Sequence, residues 1–338
     1  MPPPTPNNAP PPMQSFETND GVRLRYIDTG CEDAAGREKP WLVLIHGFTG
    51  SSLVWQRNIP SFTPYYRVIA PDLRGHGESD KPEHGFQVSR LAMDLRELVC
   101  HLQSTEEKGK ERQWKAIGGS LGCSILWCYA SLFTTSPFTH TIFVDQSPLQ
   151  NRLPDWGPEY CNRGMNSPSS LLSLQTTLAT SPATAHLGTI SACLSYLAYP
   201  LPGDEEKVSQ ETREQDERFF LGEAMKGNQT WLGRLMGDHT AQDWRASIAA
   251  TFGPKSGSGT RVLVVASERS GCFPAEGPLF VVSLVRGDDE EAGKERAKGV
   301  SVSWGGHWCY WEDPDKFNKL CLDFLSDCEM DEEMGRWV

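Results

Sequence analysis

The hydrophobic pattern changes period along the chain. After a polar, proline-rich opening, Val22, Leu24 and Tyr26 alternate with polar residues up to the turn Asp28-Thr29-Gly30, as in a half-buried strand. Trp41 to Ile45 is apolar at every position, the composition of a strand covered on both faces in a parallel sheet. Arg67 to Ala70, Trp114 to Ile117, Thr141 to Val144, Arg261 to Ala266 and Gly299 to Ser303 read as further short strands. Helical spacing lies between them. Val88, Leu91, Leu95, Leu98, Val99 and Leu102 share one face, Leu121 to Phe133 forms a helical run, and a helix is predicted near 276–286. Phe317, Leu320, Cys321, Phe324 and Leu325 mark the last one. Strands alternating with helices predict an α/β, doubly wound fold around a mostly parallel sheet.

The alternation lapses from about Leu149 to Pro254, where helical patches, Ser/Thr/Pro-rich breaks and a charged run at 204–218 replace buried strands. Residues 149–254 are therefore expected to form a helical cap inserted into a core made of 15–148 and 255–338. The run 204–218 is expected to be its mobile edge. Residues 1–14 hold seven prolines and almost nothing apolar, which predicts a disordered tail. Lys and Arg total 32 against 44 Asp and Glu, so the net charge of −12 argues against nucleic acid or an anionic membrane as partner. No apolar run is long enough to span a bilayer, and the N-terminus lacks a signal-peptide pattern, so a cytoplasmic location is expected. The ten cysteines are scattered, with no C-x-x-C pair and no Cys/His cluster at ligand spacing. Buried free thiols are expected, and neither a metal nor an organic cofactor.

The chemistry concentrates in Gly118-Gly-Ser120-Leu-Gly122, a G-x-S-x-G between a predicted strand and a predicted helix. Such a turn is sharp; side chains at 118 and 122 would clash, and the serine hydroxyl is held clear of the fold at a helix N-terminus. Three other segments end predicted strands in glycine-rich turns: His46-Gly47-Phe48, the stretch Asp72 to Asp80, and Gly305-Gly306-His307.

In that order these four motifs resemble the α/β-hydrolase superfamily, capped serine hydrolase type, over roughly 16–148 and 255–328. The resemblance implies Ser120 as nucleophile, His307 as base, and the backbone N–H groups of Phe48 and Leu121 as the oxyanion hole. It implies that His46 and the Asp72, Arg74, His76 and Asp80 turn organise loops rather than react. Most relatives place the acid a few residues after the strand matching 261–266, where this chain has Ser270. A minority place it one strand earlier, and there Asp145 stands; Glu268 is the alternative. The implied activity is hydrolysis of a carboxylic ester, thioester or lactone of a small apolar molecule through an acyl-enzyme. Epoxide hydrolase and haloalkane dehalogenase chemistry uses an aspartyl ester in this superfamily, and Ser120 argues against it. Carbon–carbon bond hydrolysis, perhydrolysis, acyl transfer and non-catalytic ligand binding on the same fold stay open, as does the oligomeric state. Trp308 and Trp311, with Trp156, Tyr160 and Trp231 of the cap, are candidates for lining an apolar pocket or for packing a core.

Overall fold

A computed structural model describes residues 13–30, 38–105, 112–288 and 290–338. Its strands are β1 (Met13–Glu17), β2 (Arg23–Asp28), β3 (Trp41–Ile45), β4 (Arg67–Pro71), β5 (Trp114–Gly119), β6 (Phe138–Val144), β7 (Arg261–Ser267), β8 (Ala297–Val302) and β9 (Arg336–Trp337). They form one sheet in the order β1-β2-β4-β3-β5-β6-β7-β8-β9. The run from β4 to β8 is parallel; β1, β2 and β9 add antiparallel edges.

The uninterrupted apolar strands are explained by helices on both faces. Val43, Ile45, Ala116, Phe143 and Val264 pack one way, toward the helices Val88–Ser104, Leu121–Phe133 and Glu276–Arg286. Their neighbours Leu42, Leu44, Ile117, Ile142 and Val265 pack the other way, toward Trp55, Phe62 and the helix Pro314–Leu325. From β3 the chain runs outward to β4, then returns to place β5 on the opposite side. The crevice at the carboxyl ends of β3 and β5 is thus a topological switch point, where open α/β sheets bind ligands.

Several expectations need adjustment. Met13 and Gln14, assigned to the tail, pair with Ile27 and Tyr26 in β1; residues 1–12 lie outside the described part. β1 carries no alternation, since only Phe16 is buried, and β9 is two residues long. A further helix, Glu290–Arg296, lies between the helix Glu276–Arg286 and β8, which starts at Ala297 rather than at Gly299. Between β6 and β7 lie the long helices Pro168–Thr180, Pro182–Cys193, Gln210–Met225, Gln229–Ala241 and Arg245–Phe252. The last buries Ile248 and Phe252 in the core cluster of the sheet, with Phe252 edge-on to Phe143.

The run 204–218 is not a loose edge. Asp216 accepts from Trp311 Nε1 at 2.9 Å, Arg57 at 3.1 Å and Tyr196 Oη at 3.1 Å. Buried Asp204 pairs with Arg269, and two residues past the run Phe220 stacks on Trp308. A charge run whose inward carboxylates are this well partnered is an anchor. Among the described residues no helix is long and apolar enough to cross a membrane.

Candidate active site

Ser120 follows β5 directly, with φ +51° and ψ −116°, and the helix Leu121–Phe133 starts at the next residue. Two close approaches force glycine at its flanks. A Cβ on Gly122 would lie 2.4 Å from the Ile45 carbonyl oxygen, and one on Gly118 would lie 2.7 Å from the Gly122 backbone. Gly122→Ala should therefore push β3 and the helix apart and cost about 1–3 kcal/mol. A chemical denaturation midpoint equal to that of the unmodified chain would contradict this.

Left-handed backbone outside glycine gathers here. Thr49 after β3, Ser120 after β5 and Asp145 after β6 have φ of +62°, +51° and +47°. Such conformations cost about 1–3 kcal/mol each and persist where surrounding structure enforces them, commonly at functional sites. For Asp145 the enforcement is visible: its N–H donates to Val265 O at 2.7 Å, and its Oδ1 accepts from Ser267 N–H at 2.9 Å. The other oxygen, Oδ2, lies 2.7 Å from His307 Nδ1. Both side chains are buried, Asp145 completely.

The loop that carries His307 is fixed at two points. Ser267 Oγ donates to Gly305 O at 2.6 Å, and Gly306 N–H donates to Glu312 Oε1 at 2.6 Å. Glu312 also accepts from the amide and the hydroxyl of Ser195, although burial raises its carboxyl above the usual range.

The alternative acid is elsewhere. Glu268 accepts from Ser301 Oγ at 3.0 Å and faces Arg336, with its side chain half exposed. Ser270, where most relatives carry the acid, turns its Oγ to the amides of Cys272 and Phe273 and closes a tight loop. The Asp72 to Asp80 turn is a scaffold. Asp72 accepts from the amides of Ser52 and Glu78, and buried Arg74 pairs with Asp94 and Asp20. His46 donates from Nδ1 to Gly47 O and accepts from Leu73 N–H at Nε2, a neutral tautomer that fits its burial-lowered pKa of about 4.

Ser120 and His307 line one cavity of about 400 Å³ together with Phe48, Cys193, Cys272 and His239. Among the described residues, neither the Phe48 nor the Leu121 amide has a protein acceptor. Leu121 opens its helix, so its amide is one of the unpaired N–H groups of a helix N-terminus. Of the five candidate aromatics only Trp308 reaches the cavity wall. Trp311 stacks on Phe219, Trp156 and Tyr160 form a cluster with Phe280, and Trp231 stacks on Phe86. The walls instead use Leu174, Met165, Met236 and Phe273 among small Ser, Thr, Gly and Ala side chains.

Two cysteines that the sequence left as inert thiols stand at the centre. Cys193 Sγ is 3.7 Å from Cys272 Sγ, and both lie beside His307. Seventy-nine residues separate them, so no spacing rule could have found them. Burial alone would lower the His307 pKa, but Cys272 and the Asp145 carboxylate raise it overall. Ser120 Oγ meanwhile lies 3.4 Å from Gln146 Oε1. A base must be neutral to accept a proton, so activity resting on His307 rises with pH through its pKa. Cys272→Ser removes the sulfur that favours the imidazolium; the acidic limb of kcat/KM should then move to lower pH by about one unit. A limb that stays put or moves up would show that Cys272 does not hold the ring.

The chain belongs to the α/β-hydrolase fold family, whose pattern it matches over residues 40–314. It is similar to a soluble epoxide hydrolase of Corynebacterium sp. (strain C12), with 45% identity over 83 residues, 25% of this chain and 27% of that protein. Epoxide hydrolase 4 of Mus musculus is 31% identical over 116 residues, 34% of this chain and 30% of that one. The chain thus spans only about a third or less of these curated relatives' length. Among solved structures, a bromoperoxidase from Bacillus anthracis superposes with a TM-score of 0.74 at 17% identity, covering 94% of this chain and 100% of that one, a likeness of fold.

Proposed function

We propose that the chain is a serine hydrolase that cleaves a carboxylic ester, thioester or lactone of a small, mostly apolar molecule through an acyl-enzyme on Ser120. The observation that carries this reading is the strained Ser120 in one cavity with His307, whose Nδ1 is bonded to buried Asp145. With Nδ1 engaged, Nε2 is the nitrogen left to take the serine proton. Ser120 Oγ, turning from Gln146, attacks the carbonyl carbon as His307 accepts that proton, and Asp145 stabilises the resulting imidazolium. The amides of Phe48 and Leu121 face the tetrahedral oxyanion, which is supported by their lack of protein acceptors. His307 returns the proton to the leaving alcohol or thiol, and a water then cleaves the acyl-serine by the same steps in reverse.

Likeness to epoxide hydrolases does not transfer their reaction, because the outcome depends on the nucleophile. A serine oxygen adding to an epoxide carbon leaves an ether, which has no carbonyl for water to attack, whereas an acyl-serine turns over. The helices around 165–193 and 229–241 supply most of the cavity wall and act as a cap. In the cavity wall Gln150 Nε2 and His239 Nδ1 are buried without a partner among the described residues, which favours a substrate with one polar group on an apolar body.

A fluorophosphonate tests the reading, since it phosphonylates only an activated serine. Mass spectrometry should find one adduct, on Ser120, in the unmodified chain. Folded protein that takes up no label would favour a non-catalytic binding role.

A further inference from the structure

We infer that Cys193, Cys272 and His307 form a binding site for one soft divalent cation such as zinc or cadmium, and that its occupancy blocks the hydrolase site. The two sulfurs are 3.7 Å apart. Two thiolates on one tetrahedral zinc, each at about 2.3 Å, would be separated by about 3.8 Å. All three ligand atoms lie within 4.8 Å of one another, so the imidazole must close by at most about 1 Å to complete the set. A disulfide would require the sulfurs at about 2.05 Å, far closer than they stand.

The separation is set by backbone ties. Gly271 N–H, beside Cys272, donates to Ala192 O at 2.9 Å, beside Cys193, and a Cβ on Gly271 would lie 2.6 Å from that oxygen. Trp308 N–H, beside His307, donates to Cys193 O at 3.3 Å. Each ligand's backbone is thereby held to another's. The outer partner of the histidine is present too. Metal-bound imidazoles commonly donate their second nitrogen to a carboxylate, and Asp145 Oδ2 lies 2.7 Å from Nδ1, leaving Nε2 for the ion. Three protein ligands leave a fourth tetrahedral position, and all three line the cavity shared with Ser120.

Binding is balanced as M²⁺ plus two thiols giving the dithiolate complex and two protons. An imidazole whose Nε2 lone pair is held by a cation cannot take the proton of Ser120. The site itself rests on geometry alone; the blockade rests on His307 acting as the base, as proposed above.

The test uses the full chain carrying Cys31→Ser, Cys100→Ser and Cys328→Ser, because Cys100 and Cys328 are exposed thiols that would bind soft ions by themselves and Cys31 lies outside the described residues. Cadmium should give a cadmium–thiolate charge-transfer band that saturates at one ion per chain and is displaced by zinc. The further pair Cys193→Ser and Cys272→Ser, with circular dichroism unchanged, should lose the band, and Asp145→Asn should weaken affinity about ten- to hundredfold. No saturable band, or the same band without Cys193 and Cys272, overturns the site. With the site filled by zinc, fluorophosphonate labelling of Ser120 should slow at least about tenfold and recover with a chelator. Undiminished labelling of the zinc-filled protein would overturn the blockade, and with it His307 as base, while the site stands.

Discussion

Alanine at position 120 is expected to abolish ester turnover and leave the chain folded. Among the described residues the Oγ of Ser120 makes one hydrogen bond, at 3.4 Å to Gln146, so its removal takes little from stability. The strained backbone at φ +51° is imposed by β5 and the following helix, and alanine is no worse there than serine. In enzymes where nucleophile and base act as a unit, loss of the nucleophile costs about 10⁶ in kcat. The expected result is a kcat lowered by about 10⁶, an unchanged melting temperature and no fluorophosphonate adduct. Activity within about tenfold of the unmodified chain would remove Ser120 from the chemistry.

Asp145→Asn is the second large effect, and its geometry makes it informative. Asparagine tolerates a positive φ, so the backbone at +47° can be kept. The Ser267 amide demands an oxygen at the Oδ1 position, which turns the new NH₂ toward His307. Facing a donor, Nδ1 must give up its hydrogen, and the proton moves to Nε2, the nitrogen that should be free to act as base. The corresponding substitution in a serine protease lowers kcat by about 10⁴ with geometry intact. Glu268→Gln keeps its contact with Ser301 and should change the rate by less than about tenfold. If the Glu268 variant is crippled and the Asp145 variant is not, the acid is on the later strand.

How far the sequence carries depends on the range over which each signal acts. Strand and helix periods are local, so the helix Leu121–Phe133 and the apolar β3 could be read directly. The glycines at 118 and 122 were legible because a steric demand across one turn selects a single residue type. β1 was missed because its pairing, not its own pattern, makes it a strand. The anchoring of 204–218 was hidden for a related reason. Asp216 reads as a surface charge until Arg57, Tyr196 and Trp311 are brought to it from three other segments. Cys193 and Cys272 were the hardest, because a pair made by a helix end and a distant loop meeting in space has no spacing to recognise. The aromatic residues stayed open between pocket and core, since Trp156, Tyr160 and Trp231 carry the same apolar bulk in either place, and only their packing partners put them in the core.

The hydroxyl of Ser270 closing its own loop has a use for anyone who wishes to redesign this chain. In a hydrolase whose acid stands there, the turn after β7 cannot be altered without disarming the base. Here the acid proposed for His307 hangs from β6, and the turn contributes Cys272 and Phe273 to the cavity wall but no carboxylate to the histidine's back. Phe273 on the cavity wall is therefore open to directed variation, and substrate choice can be retuned there without touching the carboxylate proposed behind His307.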